Sequence, residues 1–188
     1  TVYEEAQKML AVTLNEFGGI DILVNNAGWD VVQPFFENTK ELWDNLIAVN
    51  LKGCIYCCRV VGEEMIKNKK GKIVNISSDA GRIGSSEEAV YAAAKGGIIA
   101  FTKSLAVILA PYQINVNSIS PGPTDTPAVR TGMRMNEKVA IEMERRRDMT
   151  PFKRYAKAEE IADAVLFLSS ESANFITGQI LSVNGGAI

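Results

Sequence analysis

The chain has 188 residues, of which 47% are hydrophobic and 22% are charged, a composition typical of a folded globular domain. Its 20 basic and 22 acidic side chains leave a net charge of -2, so the sequence offers no excess of positive charge for a nucleic acid backbone. It contains no histidine, which excludes Ser-His-Asp and Cys-His catalysis and any zinc site that needs imidazole. Catalysis in this chain must therefore depend on Tyr, Lys, Ser, Asn, Asp, Glu or Cys side chains.

The three cysteines and the apolar segments indicate where the protein works. Cys54, Cys57 and Cys58 lie together in a helical pattern, with no distant partner for a disulfide and too few thiols for a four-ligand metal site, so we expect them to be small buried side chains. No uninterrupted apolar run approaches the roughly 20 residues that cross a bilayer, and no secretory leader precedes Thr1. The sequence predicts a cytoplasmic protein without a membrane segment.

Strand and helix patterns alternate along the chain. A capping box formed by Thr1 and Glu4 predicts a helix from the first residue, and Gly18 ends it. Short apolar runs predict strands at residues 20–25, 72–77, 114–119 and 180–183, and helical patterns cover residues 40–67, 89–109 and 159–169. This alternation predicts a single α/β domain over residues 1–188, with a doubly wound parallel sheet. The charged, proline-containing residues 123–157 are predicted to form a flap.

The helix predicted at residues 89–109 begins with a tyrosine and a lysine four positions apart. This separation places the phenol of Tyr91 and the ammonium of Lys95 on one helical face. A tyrosine with its usual pKa of about 10 transfers protons poorly at neutral pH unless positive charge stabilises its phenolate, and Lys95 can supply that charge. The pair alone also fits a packing tyrosine below a solvated lysine.

Serines follow the second predicted strand, at the edge of a parallel sheet where ligand crevices form. A Ser78 hydroxyl that donates to a substrate carbonyl oxygen, while Tyr91 delivers a proton, would make the two-donor arrangement that a developing alkoxide requires. Ser78 alone also fits an exposed loop hydroxyl. Asn50 occupies a position on the helix at residues 40–67 where an apolar residue belongs, so it either satisfies a break in the helical backbone or holds a water at a site.

These motifs, together with two glycine turns, occur in one order along the chain. The turns are Asn25-Asn26-Ala27-Gly28 after the first strand and Pro121-Gly122 after the third, the latter followed by Thr124 and Thr126. With the segment from Thr177 to Gly186, the whole series resembles the short-chain dehydrogenase/reductase family, which has a Rossmann-like fold and uses NAD or NADP. The resemblance extends over the whole chain.

The family resemblance implies a role for each motif. Tyr91 would be the general acid/base and Lys95 would bind the nicotinamide ribose and lower the pKa of the tyrosine, while Ser78 would polarise the carbonyl. Asn50 would hold a proton-relay water. The implied cofactor is NAD, with NADP as the alternative, and the implied cofactor-binding residues are Asn26, Ala27, Gly28, Tyr91, Lys95, Pro121, Gly122, Thr124 and Thr126.

The sequence departs from the family pattern at its beginning. It contains no G-x-G-x-x-G turn, which in a dinucleotide fold lets a helix N-terminus approach the pyrophosphate. We therefore expect the chain to correspond to the C-terminal two-thirds of the family fold, without the N-terminal βαβαβ portion. The strand predicted from Ile20 would then have an unpaired edge.

Within the family, the segments around Trp29, Arg82, Tyr91 and Pro121 are most similar to 2-hydroxycyclohexanecarboxyl-CoA dehydrogenases. This resemblance implies a small-molecule or acyl-CoA substrate, with Trp29 beside an alicyclic ring and coenzyme A phosphates near Arg82, Arg130 or Arg134. A 3-oxoacyl-[acyl-carrier-protein] reductase is the first alternative, and a truncated, non-catalytic oligomerisation module is the second. Family members pair their long helices across a two-fold axis, so we expect a homodimer or homotetramer.

Overall fold

The computed structural model describes residues 2–187. Its strands are β1 (Ile22–Asn25), β2 (Gly71–Ile76), β3 (Ile114–Pro121), β4 (Thr124–Asp125), β5 (Ala156–Lys157) and β6 (Ile180–Val183). Its α-helices are α1 (Tyr3–Phe17), α2 (Lys40–Ile47), α3 (Gly53–Asn68), α4 (Ala80–Ile83), α5 (Ala89–Leu109), α6 (Pro127–Met135), α7 (Glu137–Met149) and α8 (Ala158–Ser169). Every sequence-predicted strand and long helix is present.

A parallel four-stranded sheet with the order β1-β2-β3-β6 forms the centre of the fold, and β4 pairs with β5 in a separate two-stranded ribbon. Helices cover both faces of the main sheet, because α1, α3 and α5 contribute to one buried cluster and α8 to the other. The predicted doubly wound α/β architecture is thereby confirmed. Within the described residues β1 has β2 as its only strand neighbour, and its Ile22 and Val24 are 46% and 41% exposed.

The two buried clusters follow from the apolar runs of β2 and β3. Ile73 and Val116 lie fully buried in the larger cluster, while Val74 and Ile119 belong to the smaller one on the opposite face. Successive strand residues point to opposite faces, so a continuous apolar run supplies both clusters at once. The cysteines behave as expected: Cys54 and Cys58 are buried and Cys57 is half-buried, all three with free thiols.

The ends of the helices differ in detail from the sequence prediction. The first helix begins at Tyr3 with Val2 as its N-cap, and Thr1 lies outside the described residues. Gly18 ends that helix at φ +75°, the left-handed conformation expected of a C-terminal glycine. The predicted helix at residues 40–67 is divided into α2 and α3 by a π-helical turn, Ala48–Lys52. The predicted flap contains α6 and α7 between the two strands of the β4-β5 ribbon.

Helix α5 is the central packing helix, although its length and composition alone would also suit a membrane span. Lys95 and Lys103 interrupt its apolar sequence, in agreement with the expectation that no uninterrupted apolar run reaches about 20 residues. Its buried face includes Lys95, Ile98, Thr102 and Ala106, and this face packs against β3. A face that combines polar and apolar residues against a sheet is typical of the core helix of an α/β domain.

The short helix α4 approaches α5 so closely that only glycine fits at Gly81. A Cβ atom there would lie 2.6 Å from the backbone nitrogen of Gly96 and 2.6 Å from the carbonyl carbon of Lys95. Gly81→Ala is expected to push α4 away from α5 and lower the free energy of unfolding by about 1–3 kcal/mol. Urea unfolding followed by circular dichroism measures the change. Gly19→Ala is the control, because a Cβ at Gly19 meets nothing within 4 Å; equal stability of the two variants would contradict the prediction.

Candidate active site

Parallel pairing aligns the carboxyl ends of β1, β2 and β3 at one edge of the sheet. Asn25 pairs with Asn75, and Asn75 pairs with Ser118, so the segments that follow these strands emerge side by side. The loop at residues 26–28 follows β1, Ser78 follows β2 and Gly122 follows β3. Open parallel sheets bind ligands at this edge. The sequence-predicted site residues therefore lie along one boundary of the sheet.

Tyr91 is half-buried in the first turn of α5, close to the segment that carries Ser78. Burial raises the pKa of Tyr91 to about 12, and a hydrogen bond with the Ser78 side chain opposes that rise. The Ser78 Oγ accepts a hydrogen bond from the backbone nitrogen of Ala80 at 3.2 Å, which leaves its own O–H group free to donate. The structure thus brings the two predicted hydroxyl donors together.

Lys95 lies one helical turn after Tyr91, with its Nζ 5.6 Å from the centroid of the tyrosine ring. It is only 3% exposed, and its Nζ donates a hydrogen bond to the Ile76 carbonyl oxygen at 2.9 Å. Burial lowers the pKa of Lys95 to about 8. Burial of the phenol outweighs the Ser78 hydrogen bond and the Arg146 charge, which lower its pKa. The expected lowering of the Tyr91 pKa by Lys95 stays a prediction.

Asn50 lies in the π-helical turn between α2 and α3 and is buried. Its Nδ2 donates to the Leu46 carbonyl oxygen at 3.0 Å and to the Trp29 carbonyl oxygen at 2.8 Å. Its Oδ1 accepts from the Trp29 backbone nitrogen at 3.2 Å. Two roles were considered for Asn50: satisfying a break in the helical backbone and holding a water. The structure shows the first of these, since the amide forms hydrogen bonds with backbone groups at the irregular turn. The π turn directs this side chain toward the loop after β1.

Gly28 belongs to the same loop and separates two predicted catalytic side chains. A Cβ atom at this position would lie 2.8 Å from the Asn50 Oδ1 and 3.3 Å from the Lys95 Nζ. The neighbouring Asn26 and Ala27 are exposed directly after β1. Glycine at position 28 therefore allows the loop backbone to lie against the two polar groups.

The residues predicted to contact the carboxamide follow β3. Gly122 packs closely on Asn184, where a Cβ atom would lie 2.9 Å from the Asn184 Cα. The Thr124 hydroxyl donates to the Gly122 carbonyl oxygen at 2.9 Å, and the Thr126 hydroxyl accepts from the Val129 nitrogen at 3.2 Å as the N-cap of α6. The oxygen of Thr124 keeps its capacity to accept a hydrogen bond from an amide. Pro121 ends β3, and its carbonyl oxygen accepts from the Asp79 nitrogen.

These residues fit the nicotinamide end of a dinucleotide. The Lys95 ammonium donates one of its three N–H groups to the Ile76 carbonyl oxygen, so it can also donate to ribose hydroxyls, and Thr124 can accept from a carboxamide. A bound nicotinamide supplies or accepts a hydride at this edge of the sheet. The Ser78 and Tyr91 hydroxyls at this edge are groups that can donate to a carbonyl oxygen.

Three charged residues near Tyr91 were missed by the sequence reasoning. Asp30 and Glu88 raise the pKa of Tyr91, and the Arg146 guanidinium lowers it. Glu88 precedes Tyr91 by one helical turn and Asp30 follows the glycine loop, which are local signals that the sequence did carry. Arg146 has no such signal, because α7 is remote in sequence and reaches the site only through the tertiary fold.

Two of the arginines predicted to meet coenzyme A phosphates bind protein groups instead. Arg82 forms an ion pair with Asp79 and a hydrogen bond with Ser182. Arg130 forms a two-point ion pair with Asp125, at 2.6 and 2.8 Å. Both guanidinium groups thus pair with local carboxylates in the structure, and contact of Arg82, Arg130 or Arg134 with coenzyme A phosphates stays a prediction.

Comparisons with known proteins agree with this geometry. The sequence model of the family described as enoyl-(acyl carrier protein) reductase matches residues 1–187. This chain belongs to the short-chain dehydrogenase/reductase family. The 3-oxoacyl-[acyl-carrier-protein] reductase FabG of Buchnera aphidicola subsp. Baizongia pistaciae is 39% identical over 97% of this chain and 72% of that protein. The FabG of Thermotoga maritima is 36% identical, over 98% of this chain and 73% of its own length.

A solved structure is similar over nearly the whole chain. ElxO with NADP bound superposes with a TM-score of 0.90 at 28% sequence identity, covering 98% of this chain and 74% of ElxO. The predicted Rossmann-like fold and the predicted enzyme class, an NAD(P)-dependent short-chain dehydrogenase/reductase, are confirmed by these relatives. The individual roles assigned to Asn50, Ser78, Tyr91 and Lys95 stay predictions that the geometry accommodates.

Replacement of the phenol tests the assignment of Tyr91. Tyr91→Phe removes the only proton that this side chain can transfer and is expected to lower turnover by about 10²–10⁴-fold. Nicotinamide affinity, measured by fluorescence titration, should change less than about threefold because the ring and Lys95 remain. Tyr112→Phe, in the turn at the far end of α5, is the control and should keep full activity. Undiminished turnover in Tyr91→Phe would overturn the assignment.

The buried ammonium gives a distinct pH signature. Lys95 carries its charge below pH of about 8 and loses it above, whereas its unfolded reference pKa is 10.5. Between these values the unfolded chain binds more protons, so the contribution of Lys95 to the unfolding free energy becomes more favourable as pH rises. Titration of ¹³Cε-labelled lysines by NMR should show one resonance with a midpoint near pH 8 that disappears in Lys95→Met. Titration of every lysine near pH 10.5 would contradict the lowered pKa of Lys95.

Proposed function

We propose that this short-chain dehydrogenase/reductase interconverts 3-oxoacyl and 3-hydroxyacyl thioesters, using NAD or NADP. The observation that carries the proposal is the juxtaposition of the Ser78 and Tyr91 hydroxyls, with Lys95 beside them, at the carboxyl edge of the parallel sheet. Relatives that are named as 3-oxoacyl-[acyl-carrier-protein] reductases support the acyl thioester as the substrate class.

The protonation state of Tyr91 suits the reduction of a carbonyl. With a pKa near 12 the phenol keeps its proton at neutral pH, which is the form that protonates a developing alkoxide. The Ser78 hydroxyl donates a second hydrogen bond to the same oxygen. In the reverse direction Tyr91 takes the proton of the alcohol, and the Lys95 ammonium stabilises the phenolate that precedes this transfer.

Two substrates fit this chemistry, and they differ in the shape of the acyl group. The first is the straight-chain 3-oxoacyl group on acyl carrier protein, as named for the FabG relatives. The second is 2-hydroxycyclohexanecarboxyl-CoA. Its ring hydroxyl is on carbon 3 when the thioester carbonyl carbon is counted as carbon 1. It is supported by the sequence similarity around Trp29, whose backbone is held on both sides by Asn50 while its side chain stays 39% exposed.

We further propose a homodimer or homotetramer that forms through the exposed apolar face of α5 and works in the cytoplasm. Val107 and Ile108 on this helix are 76% and 61% exposed, and apolar side chains of this size favour burial in a subunit interface. The free thiols of Cys54, Cys57 and Cys58 fit a reducing compartment.

Steady-state kinetics with the full chain tests the proposed substrate class. Acetoacetyl-CoA, acetoacetyl acyl carrier protein and 2-hydroxycyclohexanecarboxyl-CoA are each assayed with NAD(H) and NADP(H), beside a free ketone of matched length. We expect at least one thioester to exceed the free ketone by tenfold or more in kcat/KM. Failure of both dinucleotides to give a saturable fluorescence change would favour the non-catalytic oligomerisation module instead.

A single variant separates the two acyl shapes. Trp29→Ala removes the exposed indole while the backbone hydrogen bonds of residue 29 to Asn50 remain available. If the ring substrate is correct, the KM for 2-hydroxycyclohexanecarboxyl-CoA should rise at least fivefold and that for acetoacetyl-CoA less than twofold. Phe36→Ala, at a fully exposed aromatic in the same connection, is the control. Equal effects of Trp29→Ala on both substrates would reject the ring-binding role.

A further inference from the structure

A cluster of buried charges joins three segments beside Tyr91. Arg146 of α7 places its Nη2 2.7 Å from the Glu88 Oε2 and donates to the Ser85 Oγ at 3.1 Å, in the loop before α5. On its own helix the Nε of Arg146 donates to the Glu142 Oε1 at 2.8 Å. Asp30, in the loop after β1, lies beside Glu88, whose carboxyl group contributes to raising the pKa of Asp30. Arg146 thus connects α7 to both loops that border the site.

The cluster is shielded from solvent more than the other charged groups of α7. The Glu88 side chain is 4% exposed and that of Arg146 is 24% exposed, whereas the neighbouring Arg145 is 50% exposed. Among the described residues the Asp30 Oδ1 is a buried oxygen without a hydrogen-bond donor. Buried ion pairs are expensive to break, since removal of one partner leaves the other charge unpaired in a poorly solvated site.

The carboxyl groups of the cluster are paired unequally, and the Lys95 ammonium is a third cation near Asp30. Three carboxyl groups, those of Asp30, Glu88 and Glu142, face two guanidinium groups, those of Arg145 and Arg146. Arg145 and Arg146 both bind Glu142, and Arg146 also binds Glu88, which leaves Asp30 in contact with the Glu88 carboxylate. Two adjacent carboxyl groups that share a hydrogen bond hold one proton between them.

The cluster acts electrostatically on the predicted catalytic pair. Its carboxyl groups raise the pKa of Tyr91 and its guanidinium lowers it, and Asp30 also raises the pKa of Lys95. Glu88 precedes the first turn of α5, where its carbonyl oxygen accepts from the Ala92 nitrogen at 2.8 Å. Displacement of Glu88 therefore moves the turn that carries Tyr91.

We propose that Arg146 is a positioning residue that docks α7 against Glu88 beside Tyr91, and that the shared proton of Asp30 and Glu88 keeps this junction closed. The proposal rests on the function proposed above, because closure of α7 beside Tyr91 shapes the acyl side of the site. Arg146 acts through Glu88 and touches neither of the predicted hydroxyl donors.

Loss of the shared proton opens the junction. The pKa of Asp30 is raised to about 8 by burial and by Glu88, so the pair carries one negative charge at pH 7 and two above about pH 8. Two adjacent carboxylates repel one another, and the additional charge raises the pKa of Tyr91 further. Lys95 also loses its charge near pH 8, so the two alkaline effects must be separated by substitution at Asp30. Asp30→Asn mimics the protonated acid and removes this titration. It also removes a charge that raises the pKa of Lys95, so the Lys95 titration is followed by NMR in the same variant.

NMR titration of the carboxyl pair tests the shared proton without any substrate. The ¹³Cγ resonance of Asp30 is expected to titrate with a midpoint near pH 8, and Glu88→Gln should lower that midpoint by at least one pH unit. A midpoint near pH 4 in the unaltered chain would overturn the proposal. Because no thioester is involved, this result is independent of whether the proposed substrate class is correct.

Kinetics test the positioning role of Arg146. With the thioester that the chain turns over best, Arg146→Met should raise KM at least tenfold, with nicotinamide affinity changed less than twofold, and Arg146→Lys should recover part of the loss. Arg147→Met is the matched control, because Arg147 pairs with exposed Asp148 on the same helix. An unchanged KM in Arg146→Met would refute the role.

Two further variants keep the test decisive. If Arg146→Met fails to fold, the double variant Glu88→Gln with Arg146→Met removes both buried charges and should fold, yet retain the raised KM. Asp30→Asn should shift the alkaline limb of the plot of kcat/KM against pH, relative to the unaltered chain. A normal KM in the double variant, or a superimposable pH profile in Asp30→Asn, would each contradict the proposal.

Discussion

The burial of one ammonium group constrains the whole site. Lys95 is almost completely removed from water, and its hydrogen bond to the Ile76 carbonyl oxygen ties α5 to the end of β2. An amine in this position must be surrounded closely but not crowded, which requires glycine at Gly28 against its Nζ and at Gly81 against its backbone. The cost of desolvation appears as the lowered pKa of Lys95. The glycine loop after β1 and the short helix α4 are therefore shaped by this single side chain.

The phenol beside Lys95 is controlled by charges from distant parts of the chain. Burial raises the pKa of Tyr91 more than any single charge lowers it, and Asp30, Glu88 and Arg146 adjust it from two loops and from α7. A protonated tyrosine next to a free serine hydroxyl can stabilise and then protonate an alkoxide. The segment predicted only as a charged flap thus acts, through Arg146, on the pKa of Tyr91.

The irregular turn at Asn50 shows how the structure accommodates a polar residue on an apolar helix face. Its amide satisfies the Leu46 carbonyl oxygen within the helix and both backbone groups of Trp29 outside it. The sequence identified Asn50 as anomalous because an amide interrupts the apolar spacing, but spacing alone left its two roles equivalent. The structure shows the backbone hydrogen bonds of the first role, which depend on tertiary contacts with the loop after β1, and the water-holding role stays a prediction.

The sequence by itself determined the order of strands and helices, the parallel sheet, and the predicted group of Asn50, Ser78, Tyr91 and Lys95. These are local properties, since apolar periodicity fixes each element and the carboxyl ends of parallel strands must share one edge. Only the tertiary structure decided that the pKa of Tyr91 is raised, that Arg82 and Arg130 bind carboxylates, and that Arg146 reaches Glu88. Desolvation and ion pairing depend on contacts between residues that are remote in sequence, and hydrophobic periodicity does not predict these contacts.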